Sequence, residues 1–229
     1  MTKEQLIEQF DCNAPGVTGN LFGLPFTPET SSVVIIPVPW EVTVSYHTGT
    51  ADGPDSVLRA SSQTDLAVKD IPDAWKLGIA MLPIPGNMLD ESKRLRELAS
   101  RHISSLEKGE SLTIDDPIVS KVNEGCENLN VYVRSTVLKY LNENKMVGMV
   151  GGDHSTPLGF VRALAEKYNR FGILQIDAHA DLRRAYEGFT YSHASIMYNA
   201  LKLPAVSRLV QVGIRDFCDE ELTVMQRAG

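Results

Sequence analysis

The sequence predicts an α/β protein, a three-layer α/β/α sandwich around a mostly parallel sheet. Two observations lead to this fold class. First, continuous apolar runs of strand length recur along the chain, at residues 32–39, 77–84, 146–151, 171–176 and 208–215. Second, helical patterns separate these runs, which is typical of βαβ units whose parallel strands are covered on both faces.

Length and composition indicate one domain over residues 1–229, with a helical lead-in at 1–31. A chain of 229 residues with 43% hydrophobic and 22% charged residues is ordinary for one globular core. No apolar run approaches the roughly 18 residues of a membrane span, and the first ten residues lack the apolar segment of a secretory signal. We therefore expect a cytoplasmic protein with no membrane contact.

Charge and cysteine usage exclude further classes. The net charge is −7 and no cluster of Lys and Arg stands among aromatic residues, so a nucleic-acid partner is not expected. The three cysteines, Cys12, Cys126 and Cys218, are scattered and form no C-x-x-C pair. This pattern predicts neither disulfides nor a thiolate zinc site.

The first half of the chain is predicted to begin its core with the strand at 32–39. A polar loop then leads to a helix at about 54–62, where Pro54 suits the first turn because a helix N-terminus needs no proline N–H. The apolar run at 77–84 is the next predicted strand.

The region that follows is predicted to be helical. Residues 88–112 are charged and interrupted by Gly109, so we expect a mobile or solvent-facing insertion with His102 at the surface. A long amphipathic helix is expected at about 116–144, and a shorter one at 156–168, between the third and fourth strands.

The fourth strand runs directly into Asp177, His179 and Asp181. Residues two apart in an extended chain share a face, so these three side chains can converge at the carboxyl end of the strand. One imidazole and two carboxylates in such a cluster indicate half of a metal site. The alternative is an acidic turn after a buried strand.

The third strand ends in a similar way, at Gly151-Gly152-Asp153-His154. The glycines allow a sharp turn and place His154 at the same edge of the sheet as the first cluster. The two clusters are therefore expected to face one crevice, with Asp153 orienting the turn or a histidine ring and not binding metal.

Four segments together carry a resemblance to a known family. Gly-Gly-Asp-His-Ser at 151–155, Asp-Ala-His-Ala-Asp-Leu-Arg at 177–183, Tyr-Ser-His-Ala-Ser at 191–195 and the Gly-Pro loop at 49–61 resemble signatures of the arginase/agmatinase ureohydrolases, most closely the agmatinase type. The resemblance implies an arginase/deacetylase-like fold. It also implies hydrolysis of a guanidino or amidino C–N bond, with release of urea or a small amide.

The resemblance further implies roles for individual residues. Two Mn²⁺ ions would share a bridging carboxylate and hydroxide, with His154, Asp177 and Asp181 at one ion and Asp177 and His179 at the other; Ni, Co, Fe and Zn stay open. His193 would shuttle the proton to the departing amine. From the residue alone, a hydrogen-bonded loop histidine is the alternative.

The partners implied are a small cationic guanidino substrate and further copies of the chain, as a trimer or hexamer. Agmatine, arginine, guanidino acids, guanidine and formiminoglutamate all stay open as substrates, because the loops that discriminate among them are poorly defined in this sequence.

In one respect the sequence departs from the family: no Ser-x-Asp-x-Asp signature follows the fifth strand. The resemblance places two more metal-binding aspartates there, so we expect the fold to be incomplete at the C-terminus. Three explanations stay open. The chain is the N-terminal portion of a longer ureohydrolase, a short relative that is catalytically inactive or depends on a partner, or a related amidohydrolase of the deacetylase type.

Overall fold

The computed structural model describes residues 1–110 and 116–228. Within them the five predicted strands follow one another in the predicted order, separated by helices. The elements are α1 (Lys3–Gln9), β1 (Val33–Val38), α2 (Gly53–Ser61), β2 (Ile79–Met81), α3 (Gly86–Glu107), α4 (Pro117–Asn142), β3 (Met146–Gly151), α5 (Leu158–Lys167), β4 (Phe171–Ile176), α6 (Ile196–Leu201), β5 (Val206–Val212) and α7 (Asp219–Ala228).

Every strand pairing in the described residues is parallel. Strand β1 lies at the centre of a three-stranded sheet of order β2-β1-β3, with Val33 in register with Ile79 and Met146. Strands β4 and β5 form a separate pair. The α/β class with parallel strands is thus confirmed, but in the described residues the strands form two sheets because no backbone ladder joins β3 to β4.

The main core lies between the three-stranded sheet and the helices that follow it. Ile36 and Val38 of β1 are fully buried together with Leu95 of α3 and Val133 of α4. Helix α4 packs against β1, β3, α3 and α5. This core fixes β3, and therefore the turn that follows it, relative to α3.

Helix α3 corrects the expectation of an insertion at 88–112. Leu95, Ala99 and Ile103 recur at a spacing of four residues and form a buried stripe, while charged side chains occupy the outer face. Gly109 lies beyond the end of the helix, so it does not interrupt it. Residues 111–112 lie outside the described residues. The surface position expected for His102 is also wrong, because its side chain is 4% exposed.

In the part of the chain that the structure describes, nothing covers one face of the β4–β5 pair. Leu174 and Ile176 are 64% and 78% exposed, and they lie beside Val210 and Val212, which are exposed as well. The expectation of strands covered on both faces is therefore wrong for this pair, and the result is a contiguous apolar surface. None of the described helices is both long enough and apolar enough to span a bilayer.

Candidate metal centre

The turn after β3 depends on close approach of two backbone segments. A Cβ atom added to Gly152 would lie 2.0 Å from the carbonyl oxygen of Trp40, so only glycine fits there. The amide of Asp153, the next residue, donates to that same carbonyl at 2.8 Å. These contacts bring His154 to the end of the sheet.

His154 meets two carboxylates that follow β4. Its Nδ1 atom lies 2.6 Å from Oδ2 of Asp181 and 3.2 Å from Oδ2 of Asp177. Ligand atoms from these three residues all lie within 4.8 Å of one another. Asp181 adopts a left-handed backbone conformation with φ of 55°, which turns the chain back towards the strand end.

The donor set fits a divalent metal ion. Ligand atoms that each lie about 2.1 Å from one ion at right angles are about 3 Å apart, close to the two separations from His154 Nδ1. An imidazole nitrogen with two carboxylate oxygens, and no thiolate, is also a donor set that manganese and its neighbours accept.

His179 stands apart from this group of three. Its side chain is 62% exposed, with Nδ1 at 3.5 Å from Oδ1 of Asp177 and Nε2 at 3.8 Å from Oδ2 of Asp216. Asp216 was not singled out by sequence reasoning. Its position just after the fifth parallel strand, at the edge where the other clusters lie, is the signal that could have identified it.

Gln175 is a second residue that sequence reasoning missed. Its buried amide nitrogen lies 3.4 Å from Oδ2 of Asp177, 3.3 Å from Oδ2 of Asp181 and 3.2 Å from the carbonyl oxygen of His179. Gln211 of β5 donates to Gln175 Oε1 at 2.6 Å, which fixes the amide with its nitrogen towards the carboxylates. A polar residue inside an otherwise apolar strand was the available signal.

The surroundings of His154 and Asp177 favour the ionised forms of these two side chains. Burial disfavours the imidazolium of His154, but the hydrogen bond to Asp181 and the charges of both carboxylates outweigh it and raise the pKa of His154. Burial likewise opposes ionisation of Asp177. The His179 amide and Gln175 outweigh it, so the pKa of Asp177 is lowered.

His193 lies beside the centre, in a short 3-10 helix (His193–Ser195). Its Nδ1 atom is 3.4 Å from Oγ1 of Thr43 and 3.3 Å from the Ser192 hydroxyl, and its backbone N–H donates to Thr43 Oγ1 at 3.1 Å. Burial lowers the pKa of His193, against the nearby charge of Asp153, and so favours the neutral ring. Burial raises the pKa of Asp153.

A cavity of about 210 Å³ opens next to these groups. Residues from three segments line it: Ser45, His179, Asp181, Tyr186, His193 and Asp216 are among them. The cavity therefore adjoins the carboxylate cluster on one side and the imidazole of His193 on the other.

Comparison with known proteins assigns the chain to a family. The family model described as "Arginase family" matches residues 31–229. The chain belongs to the arginase family. This confirms the family resemblance inferred from the four sequence motifs.

Curated members of the arginase family are similar to this chain over most of its length. An N(1)-aminopropylagmatine ureohydrolase of Thermus thermophilus is 31% identical over 216 residues, which are 91% of this chain and 60% of that protein. The counterpart from Synechocystis is 28% identical over 86% of this chain and 55% of that protein. The chain thus spans little more than half the length of these relatives.

Solved structures show the same fold. The agmatine ureohydrolase of Thermoplasma volcanium has a TM-score of 0.63 at 24% identity, covering 96% of this chain and 60% of that one. The arginase of Medicago truncatula has a TM-score of 0.62 at 22% identity, covering 87% and 54%. At these identities the comparison establishes an arginase-like fold for the chain.

Proposed function

We propose that this arginase-family chain carries a metal centre that hydrolyses the C–N bond of a guanidino or amidino group in a small cationic substrate, releasing urea or a small amide and an amine. The observation that carries the proposal is the convergence of His154, Asp177 and Asp181 beside a cavity. The names of the Thermus and Synechocystis relatives support the reaction class.

We assign the metal as manganese, with two ions in a complete centre. His154, Asp177 and Asp181 would hold one ion, and Asp177 would bridge to a second held with His179. The carboxylate-rich, thiol-free donor set supports manganese, and other divalent metals compete for it. When bound, such an ion pair acidifies water and supplies a hydroxide nucleophile at neutral pH.

The chain's own residues provide binding and proton transfer. The exposed carboxylate of Asp216 at the cavity, which is assigned to neither ion, attracts a cationic guanidinium group. As the water oxygen bonds to the guanidino carbon and the C–N bond breaks, the neutral His193 ring takes up the proton that water releases and passes it to the leaving nitrogen. Thr43 and Ser192 orient this ring through Nδ1.

A second candidate is a ureohydrolase-like metal-binding protein that is inactive alone or depends on a partner. The exposed apolar face formed by Leu174, Ile176, Val210 and Val212 favours it, because such a surface is normally buried against other polypeptide. A homo-oligomer, trimer or hexamer, and a cytoplasmic location stay predictions of the sequence.

The test is metal content and urea release measured on one sample. Elemental analysis before and after addition of Mn²⁺ gives ions per chain, and urea is assayed with agmatine and with N(1)-aminopropylagmatine. Two ions per chain with urea release support the enzyme. One weak ion or none, without urea, supports the second candidate. Full manganese occupancy in Asp177→Ala would contradict the assigned centre.

A further inference from the structure

His102 of α3 is buried with both ring nitrogens in hydrogen bonds. Nδ1 lies 2.7 Å from Oδ2 of Asp116, and Nε2 lies 2.8 Å from the backbone carbonyl oxygen of Glu187. Asp116 is the residue that caps the N-terminus of α4, where its Oδ1 accepts from the Ile118 N–H at 2.8 Å. Glu187 belongs to residues 183–192, the segment between Asp181 and His193, which we call the site loop.

Both partners of the His102 ring are acceptors. The hydrogen bond from the Ile118 N–H, together with His102, lowers the pKa of Asp116, so this carboxyl group is ionised and offers no proton. A backbone carbonyl has no proton to offer. Each ring nitrogen must then donate, and only the doubly protonated imidazolium has two N–H donors. The charge is balanced by Asp116.

The other charged groups near this ring belong to α3 and the site loop. Burial raises the pKa of the Glu187 carboxyl group, against the opposing charge of Arg96, and Glu107 raises it further. Asp116, whose Oδ2 lies 2.7 Å from Nδ1, is the carboxylate in direct contact with the His102 ring, and this contact links α3 to the start of α4.

The site loop rests on this pair through several contacts. Phe189 is fully buried and its ring centroid lies 5.2 Å from that of His102. Gly188 has φ of +84°, and a Cβ there would lie 3.3 Å from Val119 and 3.7 Å from His102 Nε2. Thr190 donates its N–H to Asn123 of α4 at 2.9 Å. Helices α3 and α4 thus hold the site loop through Gly188, Phe189 and Thr190.

Another residue of the site loop, Tyr186, faces the cavity. Tyr186 lines the cavity, and its ring lies edge-on to His193 at 6.0 Å between centroids. Helix α3 also holds the segment opposite, because Arg96 donates to the carbonyl of Val42 at 3.3 Å, next to Thr43. Tyr186 and Thr43, the two residues beside His193, are therefore both linked to α3, and the distance between them depends on this helix.

We propose that His102, held as an imidazolium by Asp116, is a positioning residue that fixes the site loop and thereby the placement of Tyr186 and His193. The contacts between His102 and the site loop do not depend on the proposed function. Their consequence for turnover rests on the proposed function.

The first test needs no variant. Nitrogen chemical shifts of the His102 ring are measured by NMR in the labelled chain at neutral pH. We expect both nitrogens to show protonated-type shifts. A neutral ring with one bare nitrogen overturns the proposal, whatever the metal content or activity of the sample.

The second test uses two matched variants and amide hydrogen exchange. In His102→Gln the side-chain nitrogen stands where Nε2 was and can still donate to the Glu187 carbonyl, whereas in His102→Asn it stands where Nδ1 was. We expect exchange in the site loop to rise about 10-fold in His102→Asn, as for loss of one hydrogen bond, and much less in His102→Gln. The exposed His47→Asn serves as control. Equal exchange in the wild type and His102→Asn overturns the proposal.

If urea release is established, the same variants separate positioning from metal loss. We expect His102→Asn to lower kcat with metal content unchanged and His102→Gln to restore most of it. Loss of metal in His102→Asn would contradict the positioning role. Absence of urea release in the wild type bears only on the proposed function.

Discussion

Nδ1 of His154 lies 2.6 Å from Oδ2 of Asp181, and this contact joins the ends of β3 and β4, which share no backbone hydrogen bonds in the described residues. The connection between the two sheets at this edge is therefore made by site side chains. An ion bound by His154, Asp177 and Asp181 would link the same strand ends, so metal binding and stability are coupled.

We expect Mn²⁺ to raise the thermal unfolding temperature of the chain. At about 100 times its Kd, a ligand that binds only the folded state adds about 2.7 kcal/mol. Asp181→Ala should abolish this shift, because it removes a charged ligand, whereas the exposed Asp65→Ala should keep it. Differential scanning fluorimetry with and without Mn²⁺ measures both, and an undiminished shift in Asp181→Ala would remove Asp181 from the centre.

Gln175→Met should weaken metal binding without removing a ligand. The amide of Gln175 faces both carboxylates and holds their orientation, and such supporting groups are typically worth about 10–100-fold in metal affinity. Isothermal titration with Mn²⁺ gives the change in Kd. Gln211→Met should have a smaller effect, because it removes only the hydrogen bond to Oε1 of Gln175 and leaves the amide nitrogen of Gln175 in place. Unchanged affinity in both variants would mean that Asp177 and Asp181 keep their orientation without the amide of Gln175.

His193→Ala should lower turnover by about 10²–10⁴-fold, the usual contribution of a positioned acid or base, with metal content intact. Thr43→Val should give a smaller loss, because it removes one contact that orients the ring. Urea release and elemental analysis on the same preparations measure turnover and metal content. Loss of metal from His193→Ala would show that this histidine is a ligand.

The metal-ligand candidates could be predicted from the sequence because parallel strands end at one edge of a sheet, which brings Asp177, the residue after β4, to His154. Asp181 reaches the same group through the left-handed turn after the strand and not through strand alternation. Gln175 was missed because the alternation along β4 places it inward, where an apolar residue is the usual expectation. His179 follows Asp177 at a spacing of two, yet its ring lies outside the group of three.

Tertiary contacts explain the other failures. His102 was expected at the surface because charged residues surround it in sequence, but its partners, Asp116 and the Glu187 carbonyl, are 14 and 85 residues away. The separation of the strands into two sheets was likewise invisible to local patterns, since Leu174 and Ile176 are as apolar as buried strand residues.

The Asp116 carboxylate predicts a specific response to acid. Its pKa is lowered in the folded state by the Ile118 N–H and by His102, so its contribution to stability is present above the unfolded-state value of about 3.9 and is lost as pH falls through the lower folded value. In the Asp116→Asn variant this side chain cannot titrate, so the variant should lose less stability than the wild type over that pH range. Urea unfolding from pH 5 to pH 3 measures the difference, and parallel curves would contradict it.

Gly152→Ala should destabilise the turn that carries His154. The added Cβ would lie 2.0 Å from the Trp40 carbonyl oxygen, and backbone on both sides leaves no flexible side chain to yield. Overpacking of this kind costs about 1–3 kcal/mol, so the unfolding midpoint should fall. Gly86→Ala is the matched control, because nothing lies within 4 Å of its Cβ position and the residue begins α3, where alanine is tolerated. Equal midpoints for the two variants would show that the backbone at Trp40 moves freely, and His154 would then owe its position to the carboxylates.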